Sequence, residues 1–321
     1  MAICFVLCYN VYFMVNPDAL TPPTAEHKSY IVTAGGWARS GKGTSMAYLK
    51  GELEQADQQV VLIDQGIKFR AMAEVVMTAH EPLDSPTILN NYISSPEATK
   101  STLDVLAEVA SMDEATKKER LYTPELSKAS GKIGKVPSAH KVAVGLLRSQ
   151  VAAAVEAETD IVLIDGRSME KYARQFDEQG LARFVMGWFF KCDPAIAARR
   201  SLGLFDDIES MPPEDKEHLL GETLGISDRN RSDTLRDVDP LREPMRAYHL
   251  NLPSYGLFGT DVPFKRAYEI VNRYGFAVVD TSYTNSIEEM TYPVTELTKF
   301  ALMFRGPLQH EHVGIQTAKA D

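Results

Sequence analysis

The segment that most constrains the fold runs from Ile31 to Ser45 and reads I-V-T-A-G-G-W-A-R-S-G-K-G-T-S. An apolar, β-branched run enters it, and a helix-forming run from Met46 to Leu53 leaves it. Between them lies the pattern G-x-x-x-x-G-K, with Gly36 first, Gly41 and Lys42 last, and Gly43 and Thr44 directly after. A strand, a glycine-rich loop and a helix start in that order are the context a phosphate-binding loop needs. Glycines let backbone N–H groups turn inward around phosphate oxygens. The helix N-terminus adds partial positive charge, and Lys42 adds a full one. Gly36, Ser40, Gly41, Lys42, Gly43 and Thr44 are therefore the expected phosphate contacts. The competing reading is a chance match in a surface turn, against which the flanking strand and helix speak. The residue after Lys42 is Gly43 rather than Ser or Thr, and the hydroxyl comes one later at Thr44.

The 321 residues suffice for one large domain or two modest ones. With 44% hydrophobic and 24% charged residues, the composition is that of an ordinary globular protein. A formal net charge of −10 argues against a general nucleic-acid binder, while leaving room for a local basic pocket that holds a small polyanion. The three cysteines, Cys4, Cys8 and Cys192, make no even disulfide framework, which fits a reducing cytosol. Cys4 and Cys8 have zinc-compatible spacing, but no second Cys or His pair completes a site, and both sit in an apolar run. That run, Ala2 to Val15, is shorter than the roughly 20 residues a membrane span needs. It has no Lys or Arg ahead of it as a signal peptide would. It reads as an appended strand or an early start codon rather than a membrane anchor. The proline-rich stretch 16–24 reads as a linker.

Along the chain, Gln59–Asp64 and Asp160–Asp165 are continuous apolar runs ending in acid, as buried parallel strands do. A helix is expected from Ala71, after a loop D-Q-G-I-K-F-R over 64–70. The alternation of strand and helix implies a parallel α/β sheet. Residues 95–129 are polar and helix-prone and read as an insertion at the ligand edge of that sheet. Residues 130–135 read as a loop, and Val142 to Val155 as an amphipathic helix. Arg183–Phe190 is a fourth strand, Ala195–Arg200 begins a helix, and Phe276–Ser282 is a final strand and turn. The acidic stretch 206–222, with Pro212 and Pro213, reads as a break. In the charge-patterned stretch 228–241, Arg229, Asp233 and Arg236 would share one helical face, which on its own reads as a solvated, ion-paired surface. Ser286–Glu289 has the spacing of a capping box, and the tail beyond Gly306 is polar. Ligands of open parallel sheets bind beyond the strand C-termini, where the glycine loop, 64–70 and 165–167 all fall.

Taken in order, G-W-A-R-S-G-K-G-T, D-Q-G-I-K-F-R, I-D-G-R, A-A-R-R-S-L, D-R-N-R-S-D-T-L-R-D-V-D-P-L and V-V-D-T-S resemble the cytidylate kinase family of nucleoside monophosphate kinases over about residues 30–301. The resemblance implies a P-loop NTPase three-layer α/β fold with a parallel sheet, an inserted acceptor-binding region and a helical lid. It implies ATP as donor, Mg²⁺ as cofactor and CMP or dCMP as acceptor. Lys42 would hold the donor's β- and γ-phosphates. Arg70, Arg167 and Arg229 would grip the acceptor phosphate, with Asp64 beside them. Asp233 and Arg236 would serve the acceptor sugar and lid, and Arg200, with Arg199, the hinge near the transferring phosphate. Thr44 and Asp165 would orient Mg²⁺ through water, although Asp165 could instead cap the following turn. The catalytic set is thus Lys42, Arg167, Arg200 and Arg229. Phosphates brought together repel, so such a site needs converging cations, and it needs a closing lid to exclude water.

The sequence departs from the family at the base. Ser168 stands where a second acid would read cytosine, Gln65 takes the second place of its motif, and Ala143 aligns with a base-reading arginine and Gly134 with a serine. Residues 242–274 exceed the family's length by about thirty residues, and long irregular loops often have their own function. Base specificity is therefore expected to differ, since lost hydrogen-bonding groups remove discrimination. The expected organisation is an extension and linker over 1–26, one kinase domain over 27–304 and a tail over 305–321. Within the domain, the acceptor insertion would cover about 71–150 and the lid about 201–240. The expected protein is a cytoplasmic monomer whose partner is a small nucleotide or phosphorylated acceptor, without nucleic acid or membrane. The alternatives are a kinase of the same fold acting on another small phosphorylated or hydroxylated metabolite, and a non-catalytic ATP-binding regulator. A P-loop GTPase is disfavoured, because no N-K-x-D signature is present.

Overall fold

The computed structural model describes residues 29–205, 207–250, 267 and 269–306. The N-terminal extension with Cys4 and Cys8, much of the insertion 242–274 and the tail beyond Gly306 lie outside these residues. The described chain is a mixed α/β structure built on six parallel strands: β1 (Tyr30–Gly36), β2 (Val60–Asp64), β3 (Ile161–Asp165), β4 (Arg183–Lys191), β5 (Tyr248–Leu250) and β6 (Phe276–Asp280). Their order across the sheet is β2-β3-β1-β4-β6-β5. Successive side chains point to opposite faces. Val32, Ala34, Ile161 and Leu163 therefore enter one apolar cluster, and Ile31, Val162 and Ile164 another. The first cluster is completed by α1 (Lys42–Gln55) and α11 (Ile287–Arg305). The second is completed by α7 (Pro137–Glu156) and α8 (Glu170–Glu178). Both faces of the sheet are covered, which is why its strands read as continuous apolar runs.

All strands point the same way, so their C-terminal ends share one edge. There the chain reverses its direction of travel across the sheet, between β1 and β4, where open parallel sheets bind ligands. Parallel register also sets Asp64 beside Asp165 on neighbouring strands. At the end of β1, Gly36 has φ +127°, and a Cβ there would lie 2.1 Å from the Phe190 carbonyl oxygen, so only glycine fits.

Between β2 and α7 the expected insertion is a set of short helices: α2 (Gln65–Thr78), α3 (Pro86–Ile93), α4 (Pro96–Ala110), α5 (Glu114–Leu121) and α6 (Pro124–Ile133). Proline opens α3, α4, α6 and α7, and Ser95, Asp113 and Thr123 cap first-turn N–H groups of α4, α5 and α6. Two expectations are corrected here. The stretch 65–70 is already helical, because Asp64 caps α2 by accepting from the Gly66 N–H at 2.6 Å. Residues 130–133 are helical too, as the last turn of α6. Gly66 and Gly131 suggested loops, and their capping and packing overrode that preference.

After β4 come α9 (Pro194–Leu202) and the 23-residue α10 (Pro213–Leu235). The Pro212–Pro213 pair starts α10 instead of breaking a segment. Its inner residues Leu219 and Ile226 pack with Ala38, Cys192, Ala197, Ala198 and Met211, so the charge-patterned helix is docked and not a free solvated surface. Arg236 is already extended and lies off the helix that carries Arg229 and Asp233. β5, a three-residue edge strand inside the expected insertion, had no recognisable sequence pattern. The Ser286 cap of α11 is present: its hydroxyl accepts from the Glu289 N–H at 3.1 Å, and Glu289 accepts from the Asn285 N–H.

Candidate active site

The glycine loop leaves β1 and turns through two left-handed residues, Arg39 (φ 54°) and Gly41 (φ 86°), into α1. Its ends are pinned. Trp37 N–H donates to the Phe190 carbonyl at 2.9 Å, Ser40 Oγ donates to the Trp37 carbonyl at 2.8 Å, and Thr281 Oγ1 donates to the Ser40 carbonyl at 3.1 Å. Among the described residues, no backbone N–H from Arg39 to Thr44 donates to an acceptor. The α1 N-terminus also lacks a side-chain cap. A run of free N–H groups at a helix start is an anion-binding arrangement. The Lys42 ammonium rests 3.2 Å from the Trp37 carbonyl. Burial lowers its pKa, only partly offset by the Asp165 carboxylate, and burial raises the pKa of Asp165, against the pull of Lys42 and with Asp64 adding to it. Gly43 is packed beside this pair, since a Cβ there would lie 3.5 Å from Asp165 Oδ2. Asp165 caps nothing: among the described residues it accepts no hydrogen bond, and the N-terminus of α8 has no side-chain cap. Thr44 is exposed in the first turn of α1.

Opposite the loop, four segments bring cations together. Arg70 comes from α2, Arg167 from the end of β3, Arg229 from α10 and Arg236 from the turn after it. Arg167 donates to the Gly36 carbonyl at 3.0 Å and pairs with Asp233 at 3.2 Å. Arg236 lies 3.5 Å from the other Asp233 oxygen. Burial lowers the pKa of Arg167. Arg229 keeps an exposed flank, yet partial desolvation and the Arg167 charge lower its pKa to about 10, with Arg70 and Arg39 contributing. Lys42 is within reach of the same Arg167 and Arg229 charges. So Lys42, Arg70, Arg167, Arg229 and Arg236 form one mutually repelling cluster, and of the acids among the described residues Asp64, Asp165 and Asp233 lie among them. A cluster of this kind is poised for a polyanion.

Two expected residues are placed elsewhere. The Arg200 guanidinium donates to the Thr284 carbonyl and hydroxyl and lies 3.6 Å from Cys192 Sγ, bracing the turn after β6 rather than joining the arginine cluster. It sits on α9, which faces that turn. Ser168 Oγ donates to the Pro240 carbonyl at 3.4 Å, and the segment after α10 is fixed there as Asp239 accepts from Tyr172 and Lys171 and approaches His140 at 3.6 Å. Although burial works against it, these hydrogen bonds hold Asp239 well below the usual carboxylate range.

Several contributors had no sequence signal. The Tyr122 ring stacks on the Arg70 guanidinium at 4.0 Å, and its hydroxyl donates to Asp64 at 3.1 Å. Partial burial and the Asp64 charge push its pKa up to about 12. Asn230 Oδ1, buried on α10, accepts from the Ala38 N–H at 2.8 Å, and Arg39 pairs with Glu222 at 2.8 Å. Both tie α10 to the loop. Lys68, buried on α2, is discussed below. Among the described residues no group of three or more His, Cys, Asp or Glu could hold a metal, and no helix is long and apolar enough to cross a membrane. Neither a protein-family model nor the sequence of a curated protein matches the chain.

Proposed function

We propose that the chain is a P-loop kinase of the nucleoside monophosphate type, resembling cytidylate kinases. It would transfer the γ-phosphoryl group of ATP to the phosphate of a nucleoside monophosphate, giving a diphosphate. The observation that carries this reading is the facing of two cationic subsites: the free N–H groups of 39–44 with Lys42, and the cluster of Arg70, Arg167 and Arg229. A protein that only bound ATP would have no use for the second subsite.

In this reading the loop N–H groups cradle the donor phosphates. Lys42, released from the Trp37 carbonyl, follows the transferring group. Arg70, braced on Tyr122, and Arg229 neutralise the acceptor phosphate, while Arg167, held by Gly36 and Asp233, bridges the two subsites. Transfer is in line, with no covalent intermediate. α10, resting on the loop through Asn230 and Ile226, excludes water that would otherwise accept the phosphoryl group. The oxygen groups of Asp165, Asp64 and Thr44 suit Mg²⁺, which prefers oxygen ligands and keeps several waters. Asp64 and Asp165 lie side by side at the ends of neighbouring strands, where they would help hold an ion carried mainly by the nucleotide phosphates. When bound, that ion would neutralise charge on the donor phosphates.

The test is ADP release from ATP with a panel of nucleoside monophosphates. Acceptor-dependent turnover by the parent and its loss in Lys42→Ala support the reading. An undiminished Lys42→Ala rate, or turnover with no acceptor at all, overturns it.

A further inference from the structure

The chain leaves α10 through the turn 236–241, and Asp239 stands in it with φ 53°, a left-handed backbone that strains a residue bearing a Cβ. Aspartate tolerates this better than most residues, but the conformation persists only where the surroundings hold it. Here the side chain is the anchor. One Asp239 carboxylate oxygen accepts from Lys171 Nζ and the other from the Tyr172 hydroxyl, both in the first turn of α8. His140 Nδ1, on α7, lies 3.6 Å from the second oxygen. The Asp239 side chain is only 8% exposed, and hydrogen bonds to an ionised acceptor are strong ones. None of these three partners belongs to the arginine cluster.

The backbone of the same residue faces the cluster. The Asp239 carbonyl accepts from Arg236 Nε at 2.5 Å, and Arg236 Nη1 lies 3.5 Å from Asp233 Oδ1. Asp233 Oδ2 pairs with Arg167 Nη2 at 3.2 Å, and Arg167 Nη1 donates to the Gly36 carbonyl at 3.0 Å. A continuous line of polar contacts thus runs from α7 and α8 through Asp239 to Arg236, Asp233 and Arg167. A long arginine side chain has many rotamers, and like charges push neighbouring guanidinium groups apart. A carbonyl fixed in place sets where Arg236 points against that push. Resting on the kinase reading above, we propose that Asp239 is a positioning residue of the acceptor subsite: its carboxylate, anchored on α7 and α8, fixes the turn whose carbonyl aims Arg236, and through Asp233 it holds Arg167 at the acceptor phosphate. Asp239 acts through these arginines and not on the phosphate itself.

The test measures phosphoryl transfer with whichever of CMP, UMP, AMP and GMP the parent uses best, in the parent, Asp239→Ala, Arg236→Met and the double variant. Asp239→Ala should raise the acceptor KM by about tenfold or more. The KM for ATP should stay within about twofold, because the line of contacts reaches no N–H group of 39–44. In the Arg236→Met background the same replacement should change the acceptor KM by less than about twofold, since the arginine it positions is gone. Asp239→Asn keeps the shape, the tolerance of a left-handed backbone and one acceptor oxygen. It should raise the acceptor KM by a smaller factor, and it carries the same comparison where the Ala variant does not fold. An acceptor KM unchanged in the Asp239 variants, a KM for ATP that rises as much as that for the acceptor, or an effect of full size in the Arg236→Met background overturns the positioning role and leaves the kinase reading standing. A parent that transfers to no monophosphate overturns both.

Discussion

Burial lowers the pKa of both Lys42 and Lys68, but their company differs. Lys42 has Asp165 beside it and the loop N–H groups around it, and its position follows from a spacing that any reader of the sequence can find. Replacing it with Ala should lower transfer by about 10³-fold or more, consistent with the loss of a charge aimed at the transferring group. A loss under tenfold in initial rate would count against its assigned role. Lys68 was not legible, because a lysine on a helix ordinarily reads as solvated. Only the packing of α2 against its neighbours buries it. Its burial has a signed consequence for stability. Below pH 8 Lys68 is charged in both folded and unfolded chains, and the burial penalty is present in full. Between about 8 and the ordinary 10.5 the unfolded chain still holds the proton that the folded one has released, so stability rises with pH. The lowering corresponds to roughly 3 kcal/mol. Urea denaturation of the parent and Lys68→Met at pH 7, 9 and 10 should show the variant's advantage shrinking as pH rises, and an advantage independent of pH would refute the account.

Among the elements, α10 departs most from what its sequence suggested. Its apolar residues do not form one clean stripe: Leu219 and Ile226 are buried, whereas Leu220, Leu224 and Leu235 are exposed. Two prolines and many acids hid a long helix, and its docking depends on partners distant in sequence, chiefly Ala38 and Arg39 of the glycine loop. Asn230→Ala should strand the buried Ala38 N–H and loosen α10 by about 1–3 kcal/mol. Hydrogen exchange of α10 amides should then quicken by about tenfold or more while that of β1 and β3 stays unchanged. Equal protection in parent and variant would show that apolar packing alone holds the helix. The Arg229–Asp233 part of the pattern was correctly placed on a helix, but Arg236 was not, because the chain turns extended there to reach Leu241, whose N–H donates to the Asp233 carbonyl at 2.8 Å.

Over the whole molecule, the strands were the most legible level. β1 to β4 and β6 are apolar runs long enough to be unambiguous, whereas β5, at three residues, is defined only by its pairing with β6. The convergence of Lys42, Arg70 and Arg167 followed from strand ends meeting at one edge of the sheet, whereas Arg229, on α10, was expected there only from the family resemblance. Arg200, expected from the resemblance alone, is instead turned toward Thr284 by its helix. In a chain of net charge −10, this concentration of cations is what the proposed meeting of two phosphate-bearing ligands requires. The most direct test follows the phosphoryl group itself. With γ-³²P-labelled ATP, Mg²⁺ and a nucleoside monophosphate, the account predicts label in the β-phosphate of the nucleoside diphosphate, dependent on the acceptor and absent with Lys42→Ala. Label that remains on ATP, or that appears only as inorganic phosphate whether or not an acceptor is present, would contradict it.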